Sequence, residues 1–180
     1  MVRKNLKCNE YRLTLKKEGA LMQGFAKDNE LTIEWLRVNT MHRVLQDIVK
    51  LWGENRGKEE NLKLGLIHAE IWMAQQTLQP FPHISVAKNN EGTIVGIMCG
   101  VPIFDHFFLQ YMTTHPLYSH IRNEIEERLI ESAIDESASL GFRGWVACSP
   151  APGEETFWRS HGFFKQDDRF YRRMGYFASA

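Results

Sequence analysis

Glu70, Asp105, Ser149 and Tyr171 are the side chains whose types and settings point to acid–base chemistry. Glu70 falls on the apolar stripe of a helical run that also holds Leu66, Ile67, Ile71, Ala74 and Leu78. A carboxylate buried on such a stripe titrates above its ordinary range, because burial disfavours the charged form, and that suits a base. Asp105 and His106 stand together just ahead of a strand, and either can act as a base. Tyr171 and Tyr111 carry phenols on alternating, strand-like runs. Ser149 follows Cys148 at a strand end and offers a hydroxyl. His115 and His161 read as capping or packing residues.

Other chemistries lack their residues. The chain has no Gly-x-Ser-x-Gly elbow, no Walker loop, no His-x-x-x-His pair and no Rossmann glycine fingerprint. Its three cysteines, Cys8, Cys99 and Cys148, form no CxxC pair, which argues against a disulfide framework or a zinc site. Cys99 and Cys148 lie in apolar runs and read as buried thiols. Trp35, Trp52, Trp72, Trp145 and Trp158 are spread over the elements, as core residues are, and do not gather into a base-stacking platform. The 22 basic and 22 acidic residues cancel, so charge gives no case for nucleic acid or an anionic membrane as a partner. No apolar run reaches the ~18 residues of a spanning helix, and the basic start Met1–Lys7 has no apolar segment behind it. The expectation is a cytoplasmic protein.

The elements that must position these groups follow from periodicity. With 180 residues and a hydrophobic share of 43%, the chain suits one domain, 30–180, behind an N-terminal extension, 1–29. Leu31–Val38 alternates as a strand. Asn39 or Thr40 then caps a helix carrying Val44, Leu45, Ile48, Val49 and Trp52, which Gly53 ends. A second helix covers about 60–78 and stops at Pro80 and Pro82. Strands at 83–88 and 93–101 flank the turn Asn89-Asn90-Glu91-Gly92, and a third strand covers Phe107–Thr114. A long helix begins near Tyr118 or Ser119 and ends at Leu140-Gly141, with Ile121, Ile125, Leu129, Ala133 and Leu140 as its core face and Gly141 as a left-handed cap. A strand to Cys148, a turn at Pro150–Gly153, a short helix 154–161 and one or two final strands complete the order. The fold class is α/β of mixed α+β character, with a central mixed, mostly antiparallel sheet, flanking helices and one crossover through the long helix.

This order resembles that of the GCN5-related N-acetyltransferases over about residues 30 to 175. The segment Pro150-Ala151-Pro152-Gly153-Glu154-Glu155-Thr156-Phe157-Trp158-Arg159-Ser160-His161-Gly162-Phe163 is similar to the family's turn and short helix ending in Gly-Phe. Ser137–Phe142 resembles the end of its long helix, and Asn90–Gly96 the hairpin into its meander. The resemblance implies acyl transfer from acetyl-CoA or another acyl-CoA to an amine, on a small molecule or a protein. It implies Met112, Thr113, Thr114, His120, Arg122, Asn123, Phe157 and Trp158 as cofactor-binding positions, and a place for Ser149 near the acyl group. It also places Asp105 and His106 toward the acceptor and Glu70 on a helix bordering the acceptor cleft.

Two departures qualify what the resemblance implies. The family holds the CoA pyrophosphate on backbone amides of an Arg/Gln-x-x-Gly-x-Gly/Ala loop, where a side chain obstructs close approach. Here no glycine occurs between Gly100 and Gly141. Counting forward from Pro116 places the slots near His120, Arg122 and Glu124; counting back from Gly141 places them near Arg122, Glu124 and Glu126. A carboxylate 4 Å from a phosphate charge is repulsive by ~1–4 kcal/mol over plausible dielectrics. In addition, Trp158 occupies the position where the family often has a tyrosine that protonates the leaving thiolate. An indole N–H is no useful acid, so Trp158 reads as an aromatic anchor. The sequence therefore supports two functions: an acyltransferase with a non-standard pyrophosphate loop, and a catalytically silent interaction module, for instance a homodimer. In the second, Glu124 and Glu126 face solvent on a helix start that acidic residues stabilise.

Overall fold

A computed structural model describes residues 30–77, 80–166 and 169–173. The N-terminal extension and Leu78 of the expected helical stripe lie outside these residues.

β1 (Thr32–Trp35) is followed by α1 (Val38–Trp52), which buries Met41, Leu45, Ile48 and Trp52 at helical spacing. Helix α1 starts ahead of the expected cap. Its N-cap is Arg37, with no side-chain bond, and Thr40 lies inside the first turn, donating its hydroxyl to the Arg37 carbonyl at 2.8 Å. The strand is shorter than its alternating run because Val38 joins the helix. α2 (Lys58–Gln76) opens where Glu60 reaches back to accept from the Gly57 amide at 2.8 Å, a local bond that satisfies one donor of the helix start. It buries Leu64, Ile67, Ile71 and Ala74.

β2 (His83–Lys88), β3 (Ile94–Ile103) and β4 (His106–Thr114) form the expected meander. A 3-10 segment, Pro116–Ile121, then leads into α3 (Arg122–Ser139), so the expected long helix is two pieces. Gly141 takes the left-handed φ of +87° expected of its cap. β5 (Trp145–Cys148), α4 (Glu155–Ser160), β6 (Phe164–Gln166) and β7 (Arg169–Arg173) follow.

The sheet order is β1-β2-β3-β4-β5-β7-β6, antiparallel throughout except for the parallel β4–β5 pair. This is the expected mixed, mostly antiparallel sheet, and α3 is its crossover. One face packs against α3 and α4 through Met98, Phe107, Ile125, Leu129 and Trp158. The other packs against α1 and α2 through Leu45, Trp52, Ile67, Ile84 and Ile97. Each such side chain contributes about 1.5–3 kcal/mol of burial. The Trp52 indole N–H also finds a partner, the Ile94 carbonyl at 3.0 Å, which ties α1 to β3.

Two irregularities in β4 position the site. First, β4 pairs with β5 only at Phe107↔Val146, Phe108↔Ala147 and Leu109↔Cys148. β4 then runs on to Thr114 while β5 stops, so the two strands part. Second, Cys99 faces Tyr111 but Gly100 faces Leu109, leaving Gln110 as the extra residue of a β-bulge. Gly100 is required there: a Cβ would lie 2.4 Å from Cε1 of Phe107 and 2.9 Å from the Phe108 carbonyl oxygen.

Candidate active site

The parting of β4 from β5 opens a cleft of about 280 Å³. β4 supplies Leu109 to Met112 as one wall, and Cys148 and Ser149 stand at the end of β5. Glu59 and Lys63 come from the first turns of α2, and Arg122 and Glu126 from the first turns of α3. Gly153, Glu154, Phe157 and Trp158 close it from the α4 side.

Of the expected site residues, the cleft brings together Met112, Arg122, Ser149, Phe157 and Trp158. Trp158 is buried and packs edge-on against Phe157 and Phe163, as an anchor does. Glu70 stands beside the cleft: its Oε1 lies 3.3 Å from Nε2 of Gln110. Thr113 and Thr114 continue β4 in buried positions outside the cleft lining. His120 in the 3-10 segment and Asn123 on the first turn of α3 are exposed and also lie outside it.

Asp105 and Tyr171 are placed elsewhere. Asp105 sits in the β3–β4 turn, its side chain 92% exposed and 2.9 Å from Nδ1 of His106, which holds its carboxyl below the usual range. Tyr171, on β7, packs its ring against His106, Trp145 and Phe164. Neither lines the cleft, which begins at Leu109, roughly 10 Å along β4 from His106 at about 3.3 Å per residue.

The sequence reading gave no role to Gln110, Lys63 or Glu59. Gln110 is singled out by the bulge and held between two groups, donating to Glu70 and lying 3.8 Å from the Cys99 thiol. Tyr111 follows it in the cleft wall. Burial and then the Glu70 charge push its phenol above the ordinary value, so it stays protonated at neutral pH. Burial pushes the Cys99 and Cys148 thiols up as well, which keeps both from acting as nucleophiles.

The charged groups of the cleft are paired among themselves. Lys63 lies 2.8 Å from Glu59 and 3.6 Å from Glu154. Arg122 Nε lies 2.7 Å from Glu126 Oε1, and its pKa is raised by that carboxylate, with Glu59 and Glu60 adding to it. Glu124 faces solvent, as a helix-start carboxylate should, but Glu126 does not: it is 2% exposed and its Oε2 has no hydrogen-bond partner among the described residues. That corrects the expectation that both carboxylates are solvated. Of the two countings for the missing glycines, only the backward one includes Glu126.

Neither a protein-family model nor a curated protein matches this sequence. Solved structures do. Over 79% of this chain and 94% of the other, it is similar to a chimeric spermidine N-acetyltransferase from Vibrio cholerae, at 13% identity and a TM-score of 0.53. Over 78% and 92% it is similar to an aminoglycoside N-acetyltransferase in complex with CoA, at 13% identity and a TM-score of 0.52. Over 79% and 96% it is similar to the PaiA N-acetyltransferase of Thermoplasma acidophilum in complex with coenzyme A, at 15% identity and a TM-score of 0.50. The chain has the GCN5-related N-acetyltransferase fold.

In this acetyltransferase fold the two ends of the cleft differ in what they fit. Among the described residues no strand pairs with the β4 edge beyond Leu109, and that edge fits an extended chain carrying amides, because unpaired backbone groups need partners. At the α3 end the first helix amide, that of Arg122, already donates to the Ser119 carbonyl, and a buried carboxylate stands one turn further on. Among the described residues no helix is long and apolar enough to cross a membrane.

Proposed function

We propose that the protein is an N-acyltransferase that passes an acyl group from a coenzyme A thioester to an amine. One observation carries this reading: β4 outruns β5 beyond Leu109 and Cys148, and the gap is a cleft edged by strand backbone that no described strand pairs with. A pantetheine arm is an extended chain with two amides and suits such an edge. When bound, the thioester supplies an activated acyl group. The chain's own residues then divide the remaining work. Gln110, fixed by the bulge, holds Glu70 at the cleft wall. Glu70 takes the proton from the incoming amine as the C–N bond forms, and the C–S bond that breaks would send its electron pair off with the thiolate of coenzyme A. Tyr111 stays protonated and donates a hydrogen bond into the cleft. Ser149, exposed at the end of β5, offers a second donor near the acyl end. The acceptor is an amine on a small molecule or a protein. The spermidine and aminoglycoside N-acetyltransferases of the same fold support that class of acceptor.

A second reading, a silent interaction module, is favoured by one observation: both cations of the cleft, Lys63 and Arg122, are already paired with carboxylates. Titration calorimetry with millimolar acetyl-CoA, alongside a thermal-shift assay, separates the two. Heat and a raised Tm are expected for the enzyme. Absence of both leaves the silent module.

A further inference from the structure

Trp72 is not the core residue that its sequence setting suggests. It stands on the outward side of α2, 51% exposed, and among the described residues it has no hydrogen bond or ring contact. Leu62 and Met73 are exposed on the same helix, so α2 carries apolar side chains on its solvent side as well as on its buried one. A helix that is apolar on both sides is one that packs on both. Seven residues before Trp72, two helical turns and so on the same face, is Gly65. Glycine is a poor residue for the inside of a helix, and nothing in the chain's own packing calls for it here: a Cβ at Gly65 would meet no atom within 4 Å.

Gly65 lines a hollow of about 350 Å³ between α1 and α2. Leu45 and Leu64 are its buried apolar lining, Gln46 and Asn61 are exposed at its sides, and Arg56 adds a guanidinium. Those groups are what an indole needs: apolar walls for the ring, an amide oxygen for the N–H and a cation for the ring face. One helix therefore carries both a knob and a matching hole. A two-fold axis between His68 and Ala69, midway between the two, runs a second α2 antiparallel to the first and sets each Trp72 over the other copy's Gly65.

We infer that this face is the interface of a homodimer, in which the Trp72 of each copy fills the hollow of the other. The area suits a modest interface. α2 is about 28 Å long and, with α1 beside it at about 10 Å, presents a face about 20 Å wide, so two such faces bury on the order of 1,100 Å² in total. That is the lower end for a specific complex, and the expected Kd is in the micromolar range. Glycine at position 65 is then a requirement of the partner's ring. The cleft residues of α2, Glu59 and Lys63, lie on the opposite side of the helix from Gly65 and Trp72 by its 3.6-residue period, so the dimer leaves the cleft free.

The test is sedimentation equilibrium on the full chain, from about 1 to about 100 µM, across the micromolar range of a small interface. The mass is expected to climb from 21.0 kDa toward twice that value. Trp72→Ala should raise the dimer Kd about thirtyfold or more, the scale of an aromatic interface anchor. Gly65→Gln fills the hole without touching the knob and should raise the Kd about tenfold or more, as overpacking does. Urea unfolding of that variant at the dilute end should show a monomer no less stable than the parent, because glycine gives way to a better helix former. A monomer at the concentrated end overturns the inference, whether the face is bare or Trp72 proves shielded from acrylamide because something else covers it. So does a dimer whose Kd either variant leaves unchanged, which would put the interface on another face. The concentration series on the unaltered protein needs no variant to fold.

Discussion

Arg172 Nη1 lies 2.8 Å from Glu127 Oε1, and the same nitrogen donates to the His161 carbonyl at 2.9 Å. The guanidinium is nearly buried and joins β7, α3 and the end of α4 at one point. Removing it leaves two acceptors short of a donor. Arg172→Met is expected to lower stability by about 1–3 kcal/mol, less than a fully buried pair because Glu127 keeps access to water. Urea unfolding measures it, and Glu127→Gln should cost less, since the His161 carbonyl keeps its partner.

Gly100 is the position on which the bulge depends. A Cβ there meets the Phe107 ring at 2.4 and 2.6 Å and the Phe108 carbonyl at 2.9 Å, and backbone yields less readily than a flexible side chain. Gly100→Ala is expected to cost about 1–3 kcal/mol, the usual range for overpacking. It should also shift Gln110 and weaken thioester binding. Equal urea midpoints for variant and parent would show that the bulge tolerates the change.

His115 links stability to pH. Its Nδ1 accepts from the Leu117 amide at 3.2 Å, a role open only to the neutral ring, and burial holds its pKa below the ordinary value. The folded state therefore binds a proton less readily than the unfolded chain. The stability this contributes is complete above the unfolded pKa of about 6.5 and is lost as pH falls through the lower folded value. Urea unfolding at pH 7.5 and 5.5 should show a smaller loss on acidification in His115→Asn than in the parent.

Glu70 acts on Tyr111 through space. Burial is the larger reason that the Tyr111 phenol titrates high, and the Glu70 charge adds to it. Glu70→Gln should bring that titration down without restoring the ordinary value. Ultraviolet difference titration, with Tyr111→Phe to identify the band, reads the shift. An unchanged titration would mean that the carboxylate is turned away from the phenol.

The sequence made the meander legible because β2, β3 and β4 are apolar runs broken by the turn at Asn89–Gly92 and by the β3–β4 corner. The long helix was legible from Ile125, Leu129 and Ala133. The cleft was not, because it depends on how far β5 runs beside β4, a matter of pairing between distant segments. A local signal did exist: Pro150 and Pro152 follow Cys148, and proline cannot continue a ladder. A carboxylate in the first turns of a helix is usually solvated, and Glu126 departs from that on a helix packed against β3 and β4. Asp105 and Tyr171 have the right chemistry but lie outside the cleft lining, a distinction that residue type does not carry.

Lys63 reaches from α2 to Glu154, ahead of α4, at 3.6 Å, and both line the cleft. A bond between two walls of a cleft has a kinetic meaning. An arm that needs the space between them enters faster when the pair is parted, and ions in solution loosen the pair by screening. Cofactors drawn in by positive charge associate more slowly as salt rises. Here association should quicken, a reversed salt dependence that stopped-flow mixing would register.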